Sequence, residues 1–521
     1  MHHSPPPPDV RLAEVVAAMA LATDLGMGRS IERSLRGCLL AMAFGHALGM
    51  ADADLQDVYY VALLRWAGCT AAVAHDDELR DTGGSGRLMD RVAVWNDAGI
   101  AYVLWEATDC DDIICPCGRT IRLPVPRRRA GAVAYGEIAQ NLARGLGLRQ
   151  QVVDALRQIA QRWDGLGSPG LAPAAAVAQI AIDAELFERL GGVEFAVDLV
   201  RRRAGTLYDP ILAMCFCRAA GELFPRMACQ SAWQAVLAAE PGAQRQLHGV
   251  RLDEALQAIG DAADLHTRGA AGHARMVAVL AESAAERCAL PKWDAITLRY
   301  AGLVQDIGMF AVTAGLGAQG RPLNEAEREH VRLHPYYTER ILARSLALAA
   351  IGALAALHHE RLDGSGSYRG LSAAQLPLTA RILAAADVYA ALSQPRPYRT
   401  ASPPGAAAEE LRREVREGHL DSDAVSAVLA AAGHRVRGTR GMHLAGLTDR
   451  EIEVLRLLSS GLVNHQMAEA LGISTNTVDH HIRHIYNKID ASSRAAATRF
   501  AMQHQIVDPA WHDGSSISAE K

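Results

Sequence analysis

Two adjacent histidines, His358 and His359, followed at once by Glu360, stand at the end of an unbroken apolar run. A single aspartate, Asp387, stands inside the next apolar stretch. A buried imidazole needs a partner, and a lone buried carboxylate asks for a cation. To position these groups, the run Leu346 to Leu357, which has no polar side chain, must be a helix, and the sequence predicts that it is buried on all sides. Asp363-Gly364-Ser365-Gly366 then predicts a turn that reverses the chain. Leu378 to Leu392, where Asp387 is the only charged residue after Arg381, predicts a second apolar helix.

The pattern HHE-x-x-DGSG, the run from Pro377 to Leu392 and Arg396 to Arg399 together resemble the HD-GYP branch of the HD-domain phosphohydrolases. The fingerprint can be followed from His273 through Gln305-Asp306-Ile307-Gly308 and His334-Pro335 to Tyr398. The resemblance implies an all-helical, metal-dependent fold that usually hydrolyses cyclic di-GMP. It carries over six metal ligands, His273, Asp306, His334, His358, His359 and Asp387, with Asp306 also the candidate catalytic residue. Such sites use imidazoles and carboxylates to hold iron, manganese or zinc, because these metals lower the pKa of a bound water. Four positions depart from the family pattern. Gln305 replaces a histidine, Met309 a phosphate-binding lysine, Gly269 an extra glutamate found in some members, and Ser367-Tyr368 a Tyr-Pro pair. A neutral amide is a poor ligand for such metals, so the position shared by His273, Gln305 and Asp387 is expected to be weak or empty, leaving one ion at Asp306, His334, His358 and His359.

At 521 residues, half of them apolar, the chain has room for two to four domains with large cores. Its net charge of −5 argues against a general polyanion coat, so any nucleic-acid contact must be local. No apolar run reaches the length of a membrane span and no signal segment is evident, which predicts a cytoplasmic protein with no membrane partner. Cys110, Cys115 and Cys117, and Cys215 with Cys217, do not have the spacing of paired zinc knuckles. Gly364-x-Gly366 follows a helix rather than a strand and is rejected as a nucleotide loop.

In chain order, residues 1–9 hold four consecutive prolines and read as an extended lead. Leu48 to Thr70 can then be laid on Ala289 to Phe310 at a constant offset: Asp54, Tyr60, Leu63 and Gly68 fall on Asp294, Tyr300, Leu303 and Gly308. Gln161 to Ser168 falls on Glu360 to Ser367, and Glu185 lands near Asp387. This internal repeat predicts tandem HD-like helical bundles, residues 10–219 and 252–432. The first copy has Arg65-Trp66 in place of Gln305-Asp306 and Ile159-Ala160 in place of His358-His359, so it keeps the fold without the chemistry. An insertion at about 75–129 interrupts it. The His75-Asp76 dipeptide there, and the basic runs at 127–129 and 201–203, carry no site.

Residues 433–446 read as a Gly/Arg linker, and 447–507 as a separate domain followed by a tail, 508–521. Thr448 with Glu451 forms a capping-box pattern. Gln466 to Leu471, Gly472 and Ser474 to Ile489 predict a helix-turn-helix. This stretch resembles the four-helix LuxR-type DNA-binding domain. The resemblance implies double-stranded DNA as partner, a homodimer on two half-sites, and contacts from Thr475, Asn476, Thr477, Val478, His480, His481, Arg483, Lys488 and Arg494. Residues 440–505 carry seven Lys and Arg against six Asp and Glu, so one copy should bind weakly. Three functions remain in play: a regulator whose HD-GYP-like region senses a cyclic dinucleotide or other phosphorylated ligand or oligomerises, an active phosphodiesterase that also binds DNA, and a scaffold with neither activity.

Overall fold

The structure is a computed structural model. It describes residues 9–26, 32–67, 113–114, 120–121, 130–159, 161–165, 170–227, 231–265, 267, 269–312, 324–396, 399–435, 447, 449–489, 491–503 and 506. Thr448, Tyr398, His75, Asp76 and the Cys110, Cys115 and Cys117 cluster lie outside the described residues. The chain divides into two compact units, Met1–Ala431 and Ala432–Lys521, and both are helical.

The first unit contains the repeat. Helices α1 (Leu12–Gly26), α2 (Arg33–Ala47) and α3 (Asp52–Leu64) are followed by a short β2–β3 hairpin (Ile113–Ile114, Thr120–Ile121). Then come α4 (Ala130–Gly145), α5 (Gln150–Gln158), α6 (Pro173–Arg202), α7 (Pro210–Leu223) and α8 (Ala232–Ala238). The second half has α9 (Val250–Asp264), α10 (His273–Arg287), α11 (Lys292–Val304), a 3-10 turn (Ile307–Ala311), α12 (Glu325–Arg332) and α13 (His334–Leu342). It closes with α14 (Leu346–Ala355), α15 (Leu378–Ser393), α16 (Pro404–Arg416) and α17 (Ser422–Ala431).

Helices α2 and α10 have 15 residues each, and α3 and α11 have 13 each. The correspondence reaches the backbone. Glu32 and Gly272 precede α2 and α10 at φ 76° and 79°, and Gly49 and Ala289 follow them at φ 69° and 54°. Asp24 accepts from the backbone N–H of Ser34, as Asp264 does from Ala274, so each copy ties the end of its first helix to the start of its second.

The two halves interlock. Strand β1 (Val10–Arg11) pairs antiparallel with β4 (Gln246–Leu247), which follows the first half's last helix. The Arg11 guanidinium binds Glu240 at 2.6 Å, and the Tyr60 hydroxyl donates to the same carboxylate at 2.8 Å. Helix α1 packs against the 3-10 turn and α13 of the second half, and Ser345 Oγ donates to Glu14 at 3.1 Å. Two-residue strands carry no periodicity, which is why the sequence did not announce them.

One expectation is corrected. Helix α14 buries only one face: Leu348, Ile351 and Ala355 are inside, while Leu346 is 93% exposed. Its abundance of alanine hid the outward face, because a small apolar residue is tolerated on either side.

The second unit has α18 (Asp449–Ser459), α19 (Asn464–Leu471), α20 (Thr475–Lys488) and α21 (Arg494–Gln503). Gly472, at φ 63°, ends α19 in the left-handed conformation, and Ser474 caps α20 by accepting from Thr477. Leu455, Leu458, Met467, Val478, Ile485 and Ala501 form its core. Burying each of the larger of these side chains is worth about 1.5–3 kcal/mol.

Candidate metal centre and DNA interface

The turn after α11 delivers Asp306, and the first residue of α13 is His334. His358 and His359 follow α14. The close approach depends on Gly308, where a Cβ would lie 1.9 Å from the His334 carbonyl oxygen. Its N–H donates to Thr338 Oγ1, which in turn donates to the Gln305 carbonyl, clamping α13 to the turn.

His334 Nδ1 lies 2.7 Å from the Val331 carbonyl and His358 Nδ1 lies 2.7 Å from that of Ala355. A carbonyl can only accept, so both Nδ1 atoms carry a proton and both rings turn Nε2 into the site. Those two Nε2 atoms are 3.0 Å apart, and Asp306 Oδ1 is 3.2 and 3.7 Å from them. His334, His358 and His359 each direct a ring nitrogen into the same small volume. Three imidazoles and a carboxylate gathered in this way, with two of the rings oriented by backbone carbonyls, are a donor set that fits a divalent metal. Burial and the neighbouring His334 ring lower the pKa of His358, and burial with His358 holds His359 well below the usual range, so both stay neutral. Burial opposes the charge on Asp306, but the His334 hydrogen bond and the neighbouring imidazoles hold its carboxyl well below the ordinary value.

The neighbouring position is built differently. His273 Nε2 lies 3.0 Å from Asp387 Oδ1, and Gln305 Nε2 donates to the same oxygen at 2.8 Å. The amide therefore turns its N–H toward the site, while its buried Oε1 has no hydrogen-bond partner. Burial disfavours the imidazolium of His273, yet the hydrogen bond and charge of Asp387, with Asp306 and Asp264, raise it to about 9. The ring is held between Asp387 and Gln394 Oε1, which lies 3.1 Å from its Nδ1. The sequence reading missed Gln394, which has no motif of its own and meets His273 from 121 residues away.

On α20, Thr475, Asn476, Thr477, His480 and Arg483 are exposed along one side. Val478 is corrected: it is fully buried, so it packs and reaches no base. Arg494 donates to the carbonyls of Leu458 and Leu462, closing the end of α18, and Lys488 pairs with buried Glu451 at 2.7 Å. His481 is half-buried, and burial lowers its pKa.

The family described as "HD domain" matches residues 257–424, and that described as "Bacterial regulatory proteins, luxR family" matches residues 445–501. The chain joins an HD domain to a LuxR-family DNA-binding domain. It is 28% identical over 421 residues to the 3'3'-cGAMP-specific phosphodiesterase 3 of Vibrio cholerae, covering 75% of this chain and 88% of that one. The nitrate/nitrite response regulator protein NarL of Escherichia coli is 35% identical over 85 residues, 16% of this chain and 39% of NarL. A solved structure of a cyclic GMP-AMP-specific phosphodiesterase of V. cholerae superposes with a TM-score of 0.53 at 22% identity, over 82% of this chain and 99% of that one. At that identity the likeness speaks for the fold.

The HD domain thus lies in the second half of the first unit, and the six carried-over ligands meet there. Its counterpart in the first half has guanidinium groups instead. Arg65 lies 2.8 Å from Asp183, and Arg33 lies 3.4 Å from Glu185. Arg65, at the position of Gln305, meets Asp183, and Arg33, at the position of His273, meets Glu185, so two carboxylates share the contacts that Asp387 makes alone. Among the described residues, no helix is long and apolar enough to cross a membrane.

Proposed function

We propose that this protein is a transcription regulator in which the HD domain binds one divalent transition metal, iron, manganese or zinc, through Asp306, His334, His358 and His359. In this reading it senses a cyclic dinucleotide or other phosphorylated ligand and turns it over slowly or not at all. The observation that carries the reading is the convergence of His334 Nε2 and His358 Nε2, 3.0 Å apart, with a ring nitrogen of His359, beside ionised Asp306. When bound, the metal supplies Lewis acidity toward a phosphate oxygen and a water of lowered pKa. This chain's own residues then hold the site: the carbonyls of Val331 and Ala355 fix the two rings, and Asp306 supplies negative charge. Gln305 and Met309 support this reading, since one leaves the second metal position short of a ligand and the other removes a cation from the phosphate site.

The LuxR-family domain binds duplex DNA as one half of a homodimer, with α20 in the major groove. Asn476 is placed to pair with an adenine edge and Arg483 to meet a phosphate. The test is elemental analysis of the purified protein together with a turnover assay on 3'3'-cGAMP and cyclic di-GMP. One metal per chain with little turnover supports the sensing reading, and absence of metal after reconstitution overturns it.

The second reading is an active phosphodiesterase fused to a DNA-binding domain. It is favoured by the cyclic-dinucleotide phosphodiesterase that aligns with three quarters of the chain. Brisk turnover that disappears in Asp306→Ala selects it.

A further inference from the structure

Away from the metal centre, the C-terminal end of α4 in the first half meets α9 and the start of α10 in the second. Contact is tight where a Cβ on Gly145 would lie 2.4 Å from that of Ala258. Beside it opens a cleft of about 890 Å³. That volume falls within the range of small-molecule sites, about 300–1,000 Å³. One wall is apolar, with Ile138, Leu142 and Leu265.

The charge in the cleft is unbalanced. Arg144, Arg251 and Arg275 line it, and Arg245 reaches its edge: a Cβ on Gly147 would lie 3.4 Å from Arg245 Nη2 and 3.9 Å from Arg251 Nη1. Arg251 pairs with Glu254 and Arg275 with Asp261. Arg144 bonds only the neutral side chains of Asn141 and Gln140, and Arg245 donates to the Gly147 carbonyl. Neither of these two is in a salt bridge among the described residues. Four guanidinium groups gathered around two carboxylates repel one another and attract an anion.

We infer that this cleft is a second ligand site, for a phosphorylated ligand of mononucleotide size, distinct from the metal centre. Its phosphate meets Arg144 and Arg245, which keep donors free of any carboxylate, and its base lies on the apolar wall. Gly272 lines the cleft and His273 is the next residue, so an occupant bears directly on the first residue of α10 and, through it, on Asp387. The inference does not depend on what the metal centre does.

The experiment uses the full chain carrying Asp306→Ala, which removes the shared carboxylate of the metal centre, with 5'-AMP as probe and adenosine as the neutral control. Calorimetry is expected to show saturable binding of 5'-AMP, at least about tenfold tighter than adenosine, and a loss of about tenfold or more when Arg144→Gln and Arg245→Gln are combined. Hydrogen exchange on the unsubstituted protein gives a readout that needs no variant, with 5'-AMP protecting residues 138–147 and 250–275. No saturable 5'-AMP binding, binding that ignores both arginine substitutions, or protection confined to residues 305–335 and 358–360 overturns the inference.

Discussion

Arg65 places its guanidinium 2.8 Å from buried Asp183, at the point in the first half where Gln305 meets Asp387 in the second. A fixed side-chain cation thus stands in one copy where the other has a position for a metal. The exchange makes the first half independent of metal for its charge balance. Arg65→Ala leaves Asp183 buried with its main counter-charge gone and is expected to cost about 3–5 kcal/mol of stability. Urea unfolding should register that loss whether or not chelator is present; a loss that appears only after chelation contradicts it.

Gln305→His is the converse change, returning an imidazole to the position between His273 and Asp387. Elemental analysis should then move from one toward two metals per chain, and any phosphodiesterase turnover should rise. An unchanged metal ratio at saturating iron or manganese shows that the amide is not what limits this position.

Asp264 gives a pH signature. Burial raises its carboxyl to about 7, against the attraction of His273. The sign follows from linkage: the folded state keeps a proton that the unfolded chain releases near pH 4, so stability falls as pH rises from about 4 to about 7. Asp264→Asn still offers an oxygen to the Ala274 N–H but carries no charge. Thermal melts of this variant should lose that slope and lie above the unsubstituted protein at pH 8; parallel curves would count against the assignment.

On α20, Asn476→Ala is expected to relax preference at one base pair by about 1–3 kcal/mol. Arg483→Ala should weaken binding to all sequences alike and lower the salt slope by about one. Arg494→Ala should instead lower the melting temperature of the domain, because its guanidinium closes α18 on the carbonyls of Leu458 and Leu462. Footprinting over a salt series separates the three.

Much of this was legible in the chain, for identifiable reasons. The repeat showed itself because Asp54, Tyr60 and Leu63 recur at Asp294, Tyr300 and Leu303, and buried tyrosines and helix-start aspartates leave few substitutes. The histidines of the metal centre stood out because polar groups beside apolar helices demand partners. What escaped depends on tertiary contact. Gln394 is an ordinary amide until α15 sets it beside His273. Val478 and Arg494 carry types common in DNA readers, and only burial and hydrogen bonding show that they build the domain. Leu346 lies in a run that looks uniformly apolar, and one-dimensional hydropathy cannot say which side of such a helix faces water.

Helix α1 lies across the 3-10 turn that follows Asp306, where Ile307 and Phe310 are fully buried. In evolutionary terms, the two copies have stopped being separable cargo. A recombination event that carried off only the second copy would strip the cover from Ile307 and Phe310, next to Asp306 of the candidate metal centre. Selection therefore sees the pair as one heritable unit, and the copy without the histidines is retained by the packing demands of the copy that has them.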